Sequence, residues 1–149
     1  MMKKITIWFL FIFILSIQLV NAEKKFLSLK KNKTNVRYGP GIDHPIKYIY
    51  RKVNLPVKQI DKKENWRRVM FLDNNSGWIH WSQLKPSNSI ITIEKKILFR
   101  KPSNFSEPLA KLEKGRLLVI NKCEEDWCNI TTSKYTGWIK IKNIWGSAK

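Results

Sequence analysis

Two stretches of the sequence share one pattern, and this pattern decides the fold. The first runs from Trp66 to Trp81 and reads WRRVMFLDNNSGWIHW; the second runs from Trp127 to Ile141 and reads WCNITTSKYTGWIKI. In each, a tryptophan opens a short strand, a polar turn follows, and a Gly-Trp-Ile strand comes next. Two copies at nearly the same spacing predict a tandem repeat of units of about sixty residues each.

The tryptophans are expected to supply the core of each unit. The chain has 149 residues, 43% of them hydrophobic, and a unit of this small size buries only about 60% of its unfolded surface. Large aromatic side chains can compensate because each buries a large area. Alternation along the strands predicts that Trp66 and Trp78 face inward. Apart from Trp8, the tryptophans divide evenly between the units: Trp66, Trp78 and Trp81, then Trp127, Trp138 and Trp145.

The charge balance is strongly basic, with 29 Lys and Arg against 11 Asp and Glu and a net charge of +18 at pH 7. Such a surface attracts polyanions, which include acidic wall polymers, anionic lipid headgroups and nucleic acid. A second interpretation is compositional drift, because most of the cations are lysines and the chain is also rich in Asn and Ile. The sequence leaves both interpretations open.

Residues 1–22 have the layout of a secretory signal peptide. A positive start, an apolar segment and small residues at the cleavage position follow one another: Lys3 and Lys4, residues 5–15, then Val20, Asn21 and Ala22. We therefore expect cleavage after Ala22 and an exported protein, periplasmic or secreted. The apolar segment is shorter than the roughly 20 residues of a spanning helix, which favours cleavage. The alternative is an uncleaved anchor, which would be the only link to a membrane.

The first unit, residues 23–85, is predicted to be a small all-β barrel. Its apolar segments are separated by turn-forming Gly, Pro, Asn and Asp, and none has the periodicity of an amphipathic helix. The predicted strands are Phe26–Leu29, Ile46–Arg51, Leu55–Ile60, Trp66–Phe71 and Gly77–His80, with a tight helical turn over Trp81–Leu84.

Three details of this unit carry specific expectations. Gly39 and Gly41 flank Pro40 and predict a bend with φ above zero. Gly77 is expected where a side chain would crowd a ring on the neighbouring strand. Pro56 has no backbone donor, so the sequence predicts that its strand lies at an edge or that its position is a bulge.

Three motifs follow one another in the first unit: Val36-Arg37-Tyr38-Gly39-Pro40, the strand that begins at Trp66, and Gly77-Trp78-Ile79. In this order they resemble the bacterial SH3-like (SH3b) domain, whose pattern is N-V-R-x-G-P, W-x-x-V and G-W-V/I. A subgroup of exported proteins with two such domains is resembled by Tyr48-Ile49-Tyr50-Arg51, Leu55-Pro56-Val57, Asn65-Trp66-Arg67-Arg68 and the closing Asn143-Ile144-Trp145-Gly146. The resemblance implies an all-β fold of two tandem small SH3-like β barrels after an N-terminal signal helix.

The second unit, residues 90–149, follows a linker at residues 86–89. This connector is too short for free movement, so we expect the two units to touch. Ile97 to Pro102 stands where the first unit has Val36 to Pro40, but it lacks the glycines around the proline. If a ligand groove uses that loop, the second unit is the poorer candidate for it.

Cys123 and Cys128 are the only cysteines of the chain, and an even pair in an exported protein predicts a disulfide. The alternatives are weaker. A redox site usually has two residues between its cysteines, and a zinc site needs ligands that His44 and His80, both in the other unit, do not supply. We expect no metal and no cofactor.

No catalytic constellation is evident, and we expect the protein not to be an enzyme. His44 sits in a polar turn beside a proline, and alternation places His80 on the opposite face from Ile79, at the surface. No serine lies in the context of a nucleophile elbow.

The resemblance implies a binding role in the cell envelope, toward peptidoglycan, another anionic envelope component or an envelope protein. Aromatic faces can stack on sugars or peptide, and arginines can fork onto carboxylates or phosphates. Arg67 and Arg68 are adjacent and must face opposite ways. The candidate ligand-binding residues are Arg37, Tyr38, Tyr48, Tyr50, Trp66, Arg67 and Arg68. A structural partner protein of the envelope or host is the alternative, and nucleic acid is not expected because it conflicts with export.

Overall fold

The computed structural model describes residues 25–148, so the predicted signal peptide and its helix lie outside the described residues. The first unit comprises β1 (Phe26–Leu29), β2 (Thr34–Arg37), β3 (Ile46–Tyr50), β4 (Pro56–Lys63), β5 (Trp66–Met70), β6 (Ser76–His80), a 3-10 helix (Trp81–Gln83) and β7 (Leu84–Pro86). The second comprises β8 (Ser89–Thr92), β9 (Lys96–Phe99), β10 (Pro108–Leu112), β11 (Leu117–Glu124), β12 (Trp127–Thr131), β13 (Thr136–Lys140) and β14 (Ile144–Gly146).

The two units have the same topology, which confirms the tandem all-β repeat. Each is a seven-stranded sheet, with strand order β3-β2-β6-β5-β4-β1-β7 in the first and β10-β9-β13-β12-β11-β8-β14 in the second. All of the neighbouring pairs are antiparallel. Only Ser87 and Asn88 lie between the last strand of the first sheet and the first strand of the second.

The cores are mainly aliphatic, so the prediction that a tryptophan trio forms the core of each unit is wrong, although Trp127 and Trp138 of the second unit are buried. Val69, Gly77 and Ile79 face inward on β5 and β6. Trp66 and Trp78 lie at odd spacings from these residues on the same strands, so they face outward. Among the described residues, neither core cluster contains a tryptophan. The first cluster is Leu29, Val36, Val57, Val69, Phe71, Ile79 and Leu84, and the second is Ile90, Leu98, Leu112, Leu118, Ile130 and Ile139.

Two further expectations about local backbone are also wrong. Pro56 is the first residue of β4, a strand that lies between β5 and β1 and is therefore not at an edge. Pro56 lies in register opposite Ser28 of β1, without a bulge. The first position of a strand tolerates a missing donor. Gly39 and Gly41 do not have positive φ; the glycines that do are Gly115 and Gly146.

Gly77 is needed for close approach, as predicted, but its neighbour is aliphatic. A Cβ at Gly77 would lie 2.4 Å from Val36 Cγ1. Gly137 has the same place in the second unit, where a Cβ would lie 2.6 Å from the backbone oxygen of Phe99. Each glycine therefore allows the Gly-Trp-Ile strand to pack tightly against its neighbour.

The two units touch, as the short connector predicts. The hydroxyls of Ser28 and Ser89 lie 2.7 Å apart in a buried hydrogen bond. Trp145 of the second unit donates its Nε1 hydrogen to the carbonyl oxygen of Pro56 at 3.0 Å. Its ring meets that of Phe26 edge to face, with centroids 5.2 Å apart.

The predicted disulfide is present and crosslinks the hairpin of β11 and β12. Cys123 and Cys128 are directly opposite in the register, with Cα atoms 4.1 Å apart. The intervening turn is acidic, and Glu125 adopts a positive φ of 52° there. The bond thus closes a short loop that the hairpin already holds together.

Reduction of this disulfide is expected to lower the free energy of unfolding of the second unit by about 2 kcal/mol, because the closed loop restricts the unfolded chain. Urea unfolding with and without a reductant measures the difference. Replacing both cysteines by alanine is the matched control, since it removes the bond without leaving a thiol. Equal midpoints for the oxidised and reduced protein would contradict the expectation.

Candidate binding surface

The outward face of the first sheet carries a row of charged and aromatic side chains across four strands. In the register, Trp78 of β6 lies opposite Arg37 of β2 on one side and opposite Arg68 of β5 on the other. Arg68 in turn lies opposite Asp61 of β4. Directly opposite residues share one face of a sheet, so Trp78 has an arginine in register on each side.

A second row on the same face extends the aromatic surface. Trp66 lies opposite His80, and their rings meet edge to face with centroids 5.3 Å apart. The ring of Trp81, at the start of the 3-10 helix, is 6.4 Å from that of His80 and is 55% exposed. We call the six residues Arg37, Trp66, Arg68, Trp78, His80 and Trp81 the aromatic face.

His80 lies on the opposite face from Ile79, as predicted, and it is held in place at the 3-10 helix. Its Nδ1 is 2.8 Å from the hydroxyl of Ser82, and it also accepts a long hydrogen bond from the Ser82 backbone at 3.4 Å. The imidazole therefore caps the short helix while its ring packs on Trp66. These contacts account for its position structurally.

The loop between β2 and β3 is hydrogen-bonded to the side chain of Arg37. The guanidinium Nη1 donates a hydrogen bond to the carbonyl oxygen of His44 at 2.7 Å. The His44 ring in turn covers Gly39, where an added Cβ would lie 2.4 Å from Cε1. Gly39 is thus required for this contact rather than for an unusual φ. The loop supports Arg37 from one side and limits its freedom at the edge of the aromatic face.

The structure divides the seven predicted ligand-binding residues among different places. Arg37, Trp66 and Arg68 lie on the aromatic face, while Tyr38 is in the adjoining loop, 64% exposed, with the ammonium of Lys47 5.5 Å from its ring. The half-buried Arg67 lies on the other face of β5 and donates from Nη1 to the carbonyl oxygens of Glu64 and Trp66. Arg67 and Arg68 therefore do face opposite ways.

Tyr48 and Tyr50 are turned toward the core. They lie opposite Val36 and Thr34, both of which are buried, and the Tyr50 ring stacks on Phe71 with centroids 4.0 Å apart. Burial, followed by the charge of Asp73 and by Tyr48, raises the pKa of Tyr50 above 10.0. These tyrosines support the first unit from inside and are not part of the aromatic face.

Sequence reasoning placed His80 at the surface, but it did not include Trp78, His80 or Trp81 among the candidate ligand-binding residues. Alternation indicates that Trp78 and the adjacent Ile79 face opposite ways, but it does not say which of the two faces inward. In the structure Ile79 takes the inside of the barrel and Trp78 faces outward. No comparable signal places Trp81, whose position depends on the 3-10 helix.

On the equivalent face of the second unit, the two tryptophans are covered by neighbouring side chains. Trp138 and Trp127 occupy the places of Trp78 and Trp66, but they are only 8% and 9% exposed. Lys122 lies 5.1 Å from the Trp138 ring, and Lys140 lies 5.8 Å from the Trp127 ring. Phe99, which stands where the first unit has Arg37, packs edge to face on Trp127. The two repeats thus present different surfaces.

The part of the chain that the structure describes has neither a cluster of metal ligands nor a membrane-spanning helix. Within residues 25–148, no three side chains of His, Cys, Asp or Glu are arranged to hold a metal ion. The same residues contain no helix of the length and apolar character that crossing a bilayer requires.

The chain belongs to the bacterial SH3 domain family. The model of this family matches residues 30–86 and, a second time, residues 94–146. Each match falls on one of the two seven-stranded sheets, which agrees with the tandem arrangement. No curated protein matches the chain.

Among solved structures, the chain is similar to NlpC2 and NlpC1 from Trichomonas vaginalis. Identity is 12% in both cases, with a TM-score of 0.38. The comparison covers 83% of this chain and 48% of NlpC2, and 84% of this chain and 46% of NlpC1. The chain therefore spans about half the length of these structures.

Proposed function

We propose that the protein is an exported, non-catalytic binding module that attaches to the cell envelope by recognising peptidoglycan or another wall component. The observation that carries the proposal is the aromatic face, where Trp78 lies between Arg37 and Arg68. Membership of the bacterial SH3 domain family supports it, because these domains generally serve as binding modules of the cell wall.

The chemistry of the aromatic face suits a ligand with sugar rings and carboxylates. Indole rings offer flat apolar surfaces to the faces of sugars, and guanidinium groups pair with carboxylates in a bidentate manner. Peptidoglycan combines both features in its glycan strands and stem peptides. Asp61 is the acidic residue of the row, and it lies beyond Arg68 at the far side from Trp78.

The disulfide supports export. Disulfides persist in oxidising compartments and are rare in the cytosol, and the bond between Cys123 and Cys128 is present in the fold. The signal peptide predicted over residues 1–22 agrees with the same location.

Binding to wall material tests the proposal. The chain from Glu23 onward, which contains all described residues, is incubated with purified insoluble peptidoglycan and, separately, with a polyanion resin of matched charge across a salt series. Since salt screens exposed charges, specific recognition predicts retention on the wall that survives high salt and loss from the resin at moderate salt. Loss from both at moderate salt would contradict the proposal, and absence of any retention would favour a protein partner.

Substitution of Trp78 by alanine is expected to lower the affinity for wall material by about tenfold, because central aromatic side chains often dominate such interfaces. Phe105→Ala is the matched control, since Phe105 is a fully exposed aromatic residue of the other unit. Circular dichroism confirms that both variants are folded. If Trp78→Ala and Phe105→Ala lowered the affinity for wall material equally, the aromatic face would not be the binding surface.

A further inference from the structure

The second unit contains a cleft that the proposed function does not use. It lies between the end of β10, the start of β11 and the turn from β12 to β13, and its volume is about 490 Å³. Its floor includes Leu112 and Leu118, which belong to the core cluster. Cationic and hydroxyl side chains form its walls. We call it the basic cleft.

The basic cleft has positive charges that are not compensated. Lys111, Arg116 and Lys134 line it, and no acidic residue does. The ion pairs found within residues 25–148 use Lys95, Lys96, Arg100 and Lys122 instead. Three cations around one cleft repel one another unless an anion lies between them, so their field favours a ligand of high negative charge.

The turn from β12 to β13 also offers neutral hydrogen-bond donors. Ser133 and Tyr135 line the cleft, and among the described residues their hydroxyls have no hydrogen-bond partner. Thr132, by contrast, is already engaged, since its hydroxyl donates to the Tyr135 carbonyl oxygen and accepts from the Tyr135 backbone. The turn is thus braced by Thr132, while Ser133 and Tyr135 remain available to oxygen atoms of a ligand.

The first unit has a cleft at the equivalent position, and that cleft lacks the cluster of positive charges. There the cleft is about 230 Å³, and it is lined mainly by apolar residues that include Tyr50 and Phe71. Asp73 stands in the turn in which the second unit has Lys134, and Ile91 of the second unit forms part of the wall. In one repeat, therefore, the cleft adjoins the junction of the units, and in the other it is larger and basic.

From this arrangement we infer that the basic cleft is a binding site for an oxyanion ligand that carries at least two negative charges, a phosphate ester or a pair of neighbouring carboxylates. Lys111, Arg116 and Lys134 supply the charge, and Ser133 and Tyr135 supply directional donors. Phosphate and carboxylate share the oxygen acceptors that this set recognises. The site is separate from the aromatic face and does not depend on the proposed function.

Calorimetric titration of the chain from Glu23 onward with tripolyphosphate, and separately with triglutamate, tests this inference. The expected result is a single site for at least one probe, and the tighter of the two identifies phosphate or carboxylate as the preferred group. The triple variant K111Q/R116Q/K134Q is expected to bind at least tenfold more weakly. Its matched control, K31Q/K52Q/K101Q, removes the same charge at exposed positions outside the cleft and is expected to change the affinity less than threefold.

Tyr135→Phe distinguishes a specific binding site from non-specific electrostatic attraction, because it removes a hydroxyl without changing the charge. A two- to fivefold loss of affinity in this variant supports the assignment. Three results would overturn it: no binding of either probe, equal weakening by the cleft and control triple variants, or unchanged affinity in both Tyr135→Phe and the cleft triple variant. Binding at the aromatic face is measured independently with wall material, so a failure here leaves that proposal unaffected.

Discussion

Alanine at Gly137 is expected to lower the free energy of unfolding of the second unit by about 3 kcal/mol, at the upper end of the usual cost of overpacking a core. The added Cβ would lie 2.6 Å from the carbonyl oxygen of Phe99 and 2.9 Å from Leu98 Cγ. Because one of these atoms belongs to the backbone of β9, a side-chain rotation cannot relieve the contact. The pair of β9 and β13 must separate instead.

Chemical unfolding followed by tryptophan fluorescence measures this loss, and Gly115→Ala is the control. Gly115 has a positive φ of 82°, but nothing lies within 4 Å of an added Cβ. Alanine there meets backbone strain alone, with an expected cost of about 1 kcal/mol. If Gly115→Ala destabilised the protein as much as Gly137→Ala, close strand approach would not be the reason for glycine at position 137.

Trp145→Ala is expected to lower the free energy of unfolding by about 3 kcal/mol, the lower end for removal of a large aromatic side chain, and to uncouple the two units. Its indole packs on Phe26 and donates to the carbonyl oxygen of Pro56. Trp145 lies opposite Ile91 in β8, as Lys85 lies opposite Ser28 in the first unit. Only the second repeat has an indole at this place.

Differential scanning calorimetry shows whether the units still unfold together. We expect one transition in the native protein and two in Trp145→Ala. Trp145→Phe retains an aromatic ring but loses the donor to Pro56, so its expected cost is about 1 kcal/mol with one transition retained. Trp81→Ala, at an exposed tryptophan, is expected to change stability by less than about 0.5 kcal/mol. A single transition in Trp145→Ala would show that the serine contacts suffice for coupling.

Local patterns in the sequence were enough to predict the tandem repeat, the all-β secondary structure and the disulfide. Trp-led strands followed by Gly-Trp-Ile lie at β5 and β6 and again at β12 and β13. The short 3-10 helix over Trp81–Gln83 was also predicted. These features depend on local patterns in the sequence, such as turn residues, alternation and the spacing of two cysteines. Such patterns can be recognised without knowing the tertiary structure.

The orientation of the tryptophans could not be obtained in this way. Alternation along a strand specifies which residues share a face, but the face that turns inward depends on the other strands of the sheet. In β6, Gly77 and Ile79 fit against Val36 inside a narrow barrel, and the larger Trp78 is left outside. The same limit explains why the sequence did not indicate that Tyr48 and Tyr50 pack against the core.

The sequence by itself therefore determined the all-β tandem repeat, the disulfide and the contact between the units, because each follows from composition or from spacing over a few residues. Tertiary structure alone decided that Arg37, Arg68 and Trp78 form one row, and that Lys111, Arg116 and Lys134 surround one cleft. These groups come from strands and turns far apart in the chain. Their meeting depends on strand order and register, which many distant contacts set together.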